Sequence, residues 1–194
     1  MLKYSLLVFV FLFVSSCYTP KYTLHDNLKY SEKNHINKNS TFVLTKNNFP
    51  FYVEKFNTKV DTDFKSILGD KLILKQNYLN LDTTILIDKF LDDKELKLIK
   101  EESKSDYLIV LKTILKPSFT ESSSNNMPNV KREYHIILEL YDLTNYKRIY
   151  TKESISVLDF THEGISVSKT KESQLNKTFE LLINDFKKYV NNKG

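Results

Sequence analysis

The chain of 194 residues has little of several residue types on which common functional sites depend. It contains one cysteine, three glycines and no tryptophan. A single cysteine excludes an intramolecular disulfide and a zinc site built from paired cysteines. Gly69, Gly164 and Gly194 lie too far apart for a phosphate-binding P-loop or a dinucleotide fingerprint. Neither G-x-S-x-G nor H-E-x-x-H occurs, and we expect no cofactor and no metal site.

Arginine is also scarce, and this bears on the kind of partner. It occurs only as Arg132 and Arg148, so the formal charge of +5 comes almost entirely from lysine. Arginine contacts to guanine and phosphate usually dominate nucleic-acid recognition. We therefore expect no nucleic-acid partner and interpret the lysines as a solvated surface.

The first 16 residues have the pattern of a secretory signal peptide. Lys3 supplies positive charge, residues 6–14 are uninterruptedly apolar, and Ser15 and Ser16 are small. Because about 20 apolar residues are needed to cross a bilayer, this pattern favours a cleaved signal over a permanent transmembrane anchor.

The stretch Val14-Ser15-Ser16-Cys17 resembles the lipobox of bacterial lipoproteins. The resemblance implies that Cys17 receives a diacylglycerol and becomes the mature N-terminus. Two or three acyl chains, at about 0.8 kcal/mol per buried CH₂, hold a soluble domain at a membrane. An ordinary signal peptide with an incidental cysteine is the alternative. The residue after the cysteine is Tyr18, and no acidic cluster follows it. The resemblance therefore favours the outer membrane and its periplasmic face.

Residues 17–40 form a polar, Asn- and Lys-rich segment that we interpret as the lipidated N-terminus and a flexible tether. Roughly 23 residues of random chain span about 25 to 30 Å on average. We interpret His25 and His35, which lie in this segment, as solvated. Residues 41–194 are predicted to form one globular domain.

The pattern of the globular part predicts an α/β (α+β) fold, with a mixed, mostly antiparallel sheet of about five strands and two to three helices packed mainly on one face. Apolar residues recur at helical spacing from Val60 to Leu72, which predicts a helix with Asp61 as its cap. A second helix is predicted to begin at Asp92 or Asp93. The predicted strands are 41–56 in two pieces, 83–87, 106–115, 132–142 and 147–157. The last helix carries an apolar stripe of Leu175, Phe179, Leu182, Phe186 and Val190.

Two stretches, KSDYLIVLKTI and IILELYDLTNYKRIYTKES, resemble the core of periplasmic lipoprotein domains related to the amino-terminal domain of TolB and to the curli secretion lipoprotein CsgG. In that family the hairpin turn ends in glycine, which Asn145 replaces here. Asparagine also enters the left-handed region, so the exchange is tolerable. The resemblance implies envelope assembly, secretion or trafficking more than catalysis.

The candidates for chemistry are few. Asp159, His162 and Glu163 could together meet a cation or act as acid and base, although a solvent-facing loop is the favoured interpretation. His135 lies on the mixed face of a predicted strand, and a structural histidine is favoured over a general base. The many carboxylates keep a hydrolase of envelope polymers open as an alternative.

The segment KPSFTESSSNNMPNVK is longer than a tight hairpin requires, and its prolines at 117 and 128 are predicted to end the flanking strands. Phe119 and Met127 are apolar residues in this polar loop. We therefore predict a contact element at 117–129 in which these two side chains bind a partner. A disordered connection is the alternative.

These observations predict a non-catalytic outer-membrane lipoprotein that binds a protein or glycan partner in the envelope. The main alternative is the membrane-tethered hydrolase. A carrier that holds a small ligand between sheet and helices is a third possibility.

Overall fold

The computed structural model describes residues 20–26, 36–37, 39–45, 54–74, 90–120, 129–160 and 171–191. These residues form six strands and three helices: β1 (Lys21–Asp26), β2 (Phe42–Leu44), α1 (Glu54–Leu68), β3 (Leu72–Leu74), α2 (Asp93–Ser103), β4 (Tyr107–Thr120), β5 (Asn129–Asp142), β6 (Lys147–Phe160) and α3 (Lys171–Asn191). A 3₁₀ turn, Gly69–Lys71, joins α1 to β3, and Gly69 provides its left-handed φ of +60°.

The strands form a single mixed sheet in the order β1-β6-β5-β4-β2-β3. The pairs β1/β6, β6/β5 and β5/β4 are antiparallel, whereas β2 runs parallel to both β3 and β4. The predicted α+β class with a mostly antiparallel sheet is confirmed, with one strand more than expected.

Two helices, α1 and α3, cover one side of the sheet, which we call the α1/α3 face. Alternate residues of β5 point to it because successive side chains of a strand face opposite sides. The core here is aromatic at its centre. The centroid of the Phe179 ring lies 5.5 Å from that of the Phe56 ring and 6.0 Å from that of the Phe64 ring. The buried residues on this face include Val60, Tyr134, Ile136, Leu138, Leu140, Leu175, Leu182 and Phe186. The stripe predicted for the last helix is therefore confirmed, with Val190 partly buried at its end.

The opposite side of the sheet, the α2 face, carries a smaller core. Leu96 and Ile99 of α2 pack there on Val43, Leu108 and Val110. The helix begins at a capping box in which the Asp92 side chain accepts a hydrogen bond from the Glu95 N–H, and the Glu95 side chain accepts one from the Asp92 N–H. Asp92 is thus the predicted cap, and two helices on one face against one on the other agree with the predicted packing.

The prediction of a flexible tether is wrong for residues 21–26. They form β1, an edge strand that pairs with β6 from Lys21 opposite Val157 to Asp26 opposite Lys152. Most β1 side chains are exposed. The strand therefore depends on backbone hydrogen bonds to β6, which leave no apolar pattern in its own sequence.

The first helix also begins earlier than predicted. It starts at Glu54, so Asp61 lies inside it and is not a cap. Phe56 opens the buried stripe four residues before Val60, a position that sequence analysis assigns to a strand. Burial raises the pKa of Asp61, and Leu72 belongs to β3. The predicted strand at 83–87 lies outside the described residues.

The prediction that Pro117 ends its strand is wrong, because β4 continues to Thr120 and Pro117 lies opposite Arg132 of β5. Among the described residues, β2 covers only Tyr107–Ile109 of the other edge of β4. A proline is tolerated where its nitrogen faces an uncovered edge, since no ladder hydrogen bond is lost there. Only residues 121–128 of the predicted contact element remain outside β4 and β5, and they lie outside the described residues.

Candidate functional site

The structure describes only part of the predicted site residues. Cys17, Met127, His162 and Glu163 lie outside the described residues. Phe119 is in β4 opposite Val130, and Asp159 is in β6 opposite Lys131. Lipidation and the predicted contact through Phe119 and Met127 therefore stay predictions.

The turn between β5 and β6 is built around the Asp142 carboxylate. It accepts hydrogen bonds from the backbone N–H groups of Thr144 (2.8 Å) and Asn145 (3.0 Å) and from the Asn145 side-chain amide (2.7 Å). The left-handed residue is Tyr146, with φ of 52°, and not Asn145. The expected reason for asparagine at position 145 is therefore wrong, and its side chain instead donates to the turn aspartate.

A second aspartate, Asp106, links the start of β2 to the start of β4 through hydrogen bonds. Its carboxylate accepts hydrogen bonds from the Thr41 N–H (2.9 Å) and hydroxyl (3.1 Å). The N–H groups of Asp106 and Tyr107 both donate to the Thr41 carbonyl at 3.0 Å. The backbone hydrogen bond from Thr41 is the main cause that lowers the pKa of Asp106. This aspartate is structural in the described domain.

The α2 face carries a charged cluster of Lys112, Glu139, Tyr141 and Arg148. One Glu139 oxygen, Oε2, accepts from Lys112 Nζ and from Tyr141 Oη at 2.9 Å each, and Oε1 accepts from Arg148 Nη1 at 3.1 Å. The Lys112 and Glu139 side chains are only 3% and 2% exposed. Burial and the Glu139 charge raise the pKa of Tyr141, so its hydroxyl keeps its proton and donates.

Phe90 lies over this cluster. Its ring centroid is 3.9 Å from Arg148 Cζ and 5.4 Å from Lys112 Nζ, within the range of cation–π contacts. Phe90 is 61% exposed. The two cations therefore hold an aromatic ring at the surface of the α2 face.

Farther along the same face, His135 lies between two carboxylates. Its Nδ1 is 2.7 Å from Glu153 Oε1, and its Nε2 makes a short contact with Glu133 Oε1. Alternation places position 135 four residues before Glu139 on the same side of β5. Each ring nitrogen therefore contacts a glutamate carboxylate, one from β5 and one from β6.

In both clusters, the polar side chains form their hydrogen bonds and ion pairs with one another. A general base needs a lone pair directed at a substrate proton, but both His135 nitrogens and both Glu139 oxygens are already engaged. Within the residues that the structure describes, no His, Cys, Asp or Glu side chains are grouped to hold a metal ion. Over the same residues, no helix is long and apolar enough to cross a membrane.

Sequence analysis identified His135 and missed the Lys112 cluster, although a signal was present. Lys112 interrupts the most apolar stretch of the domain, and Glu139 stands in an alternating strand among apolar residues. Opposite charges at buried positions of adjacent strands indicate a buried ion pair, since neither charge is stable there alone.

No protein family and no curated protein matches the chain. Several solved structures are similar to the chain. The PelC dodecamer from Paraburkholderia phytofirmans has a TM-score of 0.45 at 8% identity, over 90% of this chain and all of that one. The hypothetical protein CT253 from Chlamydia trachomatis has a TM-score of 0.47 at 10% identity, over 79% and 99% of the two chains. Lipoprotein GNA1162 from Neisseria meningitidis has a TM-score of 0.41 at 11% identity, over 75% and 97%.

These similar structures therefore include a bacterial lipoprotein. With TM-scores below 0.5 and identities near 10%, they carry no argument about the function of this chain. The resemblance to the TolB amino-terminal domain and to CsgG stays a prediction.

Proposed function

We propose that the protein is a lipid-anchored, non-catalytic binding module of the bacterial envelope. Acyl chains on Cys17 hold the domain at the outer membrane, where it faces the periplasm and binds a protein or glycan partner. The proposal of an anchor rests on the signal-peptide pattern and the lipobox-like stretch that ends at Cys17.

One observation carries the proposal that the domain does not catalyse a reaction. The polar groups that are best placed for chemistry, Glu139 and His135, are held by neighbours on their own sheet face. Such a network rigidifies the face and fixes the position of exposed groups such as Phe90. A rigid exposed aromatic ring suits recognition, because it buries a large area at little cost in side-chain entropy.

The anchor is tested by metabolic labelling with a fatty acid. Cys17→Ala should abolish the acyl label, whereas Ser16→Ala, which keeps a small residue before the cysteine, should retain it. Equal labelling of the Cys17→Ala variant and the wild type would show that the acyl chain is attached elsewhere and would refute the lipoprotein proposal.

Partner binding is tested by cross-linking in cells. The contact proposed at Phe119 and Met127 predicts that Phe119→Ala/Met127→Ala loses the cross-linked partner, while Phe119→Leu/Met127→Leu keeps most of it. Phe90→Ala tests the α2 face in the same way. If both alanine variants capture the wild-type amount of partner, neither surface is the contact.

The hydrolase alternative has one observation in its favour, the trio of His135, Glu133 and Glu153. A histidine paired with carboxylates is a common acid–base unit. If the trio acts on envelope polymers, purified protein should release soluble fragments from peptidoglycan, and His135→Gln should stop the release without unfolding the domain. No fragment release by the wild type is the outcome that the binding-module proposal expects.

A further inference from the structure

The edge strand β1 lies very close in sequence to Cys17. Its first residue is Lys21, and Pro20 before it is already buried. At no more than about 3.6 Å per residue, the three residue steps from Cys17 to Pro20 can span at most about 11 Å. The chain that links a lipid on Cys17 to the folded domain is therefore short, and not a tether of some 25 to 30 Å.

The direction of this short link is set by the sheet. Because β1 is antiparallel to β6, the chain that precedes Lys21 leaves the sheet in the direction in which β6 runs toward Phe160. Thr120 and Asn129, where β4 ends and β5 begins, lie at the same end. We call this end of the sheet the hairpin end; it lies opposite the turn at 143–146 that joins β5 to β6.

Two side-chain contacts, one near each end of β1, add to its backbone hydrogen bonds with β6. Lys152 Nζ lies 2.7 Å from Asp26 Oδ2 at the end of the strand. Near its start, Lys177 Nζ of α3 lies 5.3 Å from the centre of the Tyr22 ring. The strand is thus connected both to β6 and to a helix of the α1/α3 face. A short link from the anchor to β1 therefore constrains the position of the whole domain.

We propose that β1 fixes the domain in one orientation, with the hairpin end against the phospholipid surface and the turn at 143–146 directed away from it. This inference rests on the proposed lipidation of Cys17. Lys21 and Lys116, which share one row across the sheet through Val157 and Glu133, are both exposed at this end. The ammonium group of Lys21, next to the proposed anchor, suits the anionic headgroups of such a surface.

The orientation is measurable with thiol labels, because a lipidated Cys17 leaves the mature chain without a cysteine thiol. Two exposed lysines give matched sites, Lys116→Cys near the hairpin end and Lys147→Cys at the opposite end. Lys147 pairs with Asp142, which pairs with Tyr107, so the two sites are about 30 Å apart along the strands. Each variant loses the same charge.

The lipidated full-length variants are labelled with a donor fluorophore and inserted into phosphatidylethanolamine–phosphatidylglycerol vesicles that contain a headgroup-labelled acceptor lipid. We expect a much larger loss of donor fluorescence at position 116 than at position 147. Equal losses, or a larger loss at 147, would overturn the proposed orientation and leave the lipid anchor intact. Absence of acyl label and of vesicle binding would overturn the anchor and the orientation together.

A second comparison tests whether β1 is the cause. Thr23→Pro/Leu24→Pro removes two consecutive N–H groups, and one of them faces β6 because alternate groups point to opposite sides. Added to the Lys116→Cys and Lys147→Cys variants, it should bring the two fluorescence losses together while melting of the domain remains cooperative. A difference that survives the two prolines would show that another contact orients the domain.

Discussion

The two faces of the sheet are built by different means, although the same strands supply both. On the α1/α3 face, β5 contributes Tyr134, Ile136, Leu138 and Leu140 to an apolar core. On the α2 face, the same strand contributes His135 and Glu139, which are buried and paired with charges from neighbouring strands. The first face gains stability from burial of apolar area, whereas the second needs every charge to keep its partner.

A single strand, β5, thus contributes to an apolar core on one side and to charged clusters on the other. Alternation lets the α1/α3 face carry most of the stability, so the α2 face can hold charged groups in fixed positions. Arg148 supports the exposed ring of Phe90 in this way. Substitutions on the two faces should therefore differ in the size of their effects on stability.

The largest effect is expected at the centre of the α1/α3 core. Phe179 is fully buried between Phe56 and Phe64. Phe179→Ala should lower the free energy of unfolding by about 3 to 5 kcal/mol, because it removes buried area and leaves a cavity. Lys187→Ala, an exposed change on the same helix, should cost less than about 0.5 kcal/mol. Similar denaturant midpoints for the two variants would show that the buried side of α3 is misassigned.

On the α2 face, the corresponding test is the buried ion pair. Lys112→Met should cost about 3 kcal/mol, because Glu139 then keeps only Arg148 as a charged partner in a buried site. The double variant Lys112→Met/Glu139→Met should recover part of this loss, because the two buried charges are removed together and Arg148 is partly exposed, while the Tyr141 hydroxyl loses its acceptor. Additive losses in the double-mutant cycle would contradict a coupled pair.

Asp106 provides a smaller effect with a pH signature. Asp106→Asn should cost about 1 kcal/mol at neutral pH, because hydrogen bonds to a charged acceptor are replaced at a partly exposed site. The folded pKa is lowered, so the stabilisation by the carboxylate is complete above the ordinary pKa near 3.9 and is lost as the pH falls through the lower folded value. The stability difference from wild type should therefore shrink below about pH 4. A difference that is constant down to pH 2 would contradict the role of the charge.

The smallest effect is expected at the start of α2. Asp92→Ala removes the side-chain acceptor of the capping box and should cost about 0.5 kcal/mol, the low end of the range, because the cap is exposed. Lys97→Ala, an exposed change in the same helix, serves as the control and should have little effect. A stability loss as large as that of Phe179→Ala would mean that the α2 face contributes more to folding than its small core indicates.

The parts of the fold that sequence analysis predicted correctly are those with a strong repeating pattern. Alternation in β5 and the stripe of Leu175 and Phe179 in α3 reflect the sheet and the helix directly, because burial selects apolar residues at fixed spacing. Asp92 was identifiable because a cap needs a short polar side chain directly before the helix.

The parts that escaped prediction depend on partners that are distant in sequence. β1 forms a strand because it pairs with β6, and Pro117 remains in β4 where no strand of the described residues pairs with its other edge. For the same reason, His135 could be interpreted as structural, but neither of its glutamate partners could be identified before β5 and β6 were aligned. The pairing of Lys112 with Glu139 likewise became definite only when the register of β4 and β5 was known.

The position of β1 in the sheet also has a consequence for the order of folding. The strands β4, β5 and β6 follow one another along the chain, whereas Asp26 and Lys152 are 126 residues apart. Pairing across such a separation must wait for a long loop to close, so neighbouring strands pair first. Under the proposed export from the N-terminus, residues 21–26 would emerge well before β6, and their pairing with β6 would complete the sheet last.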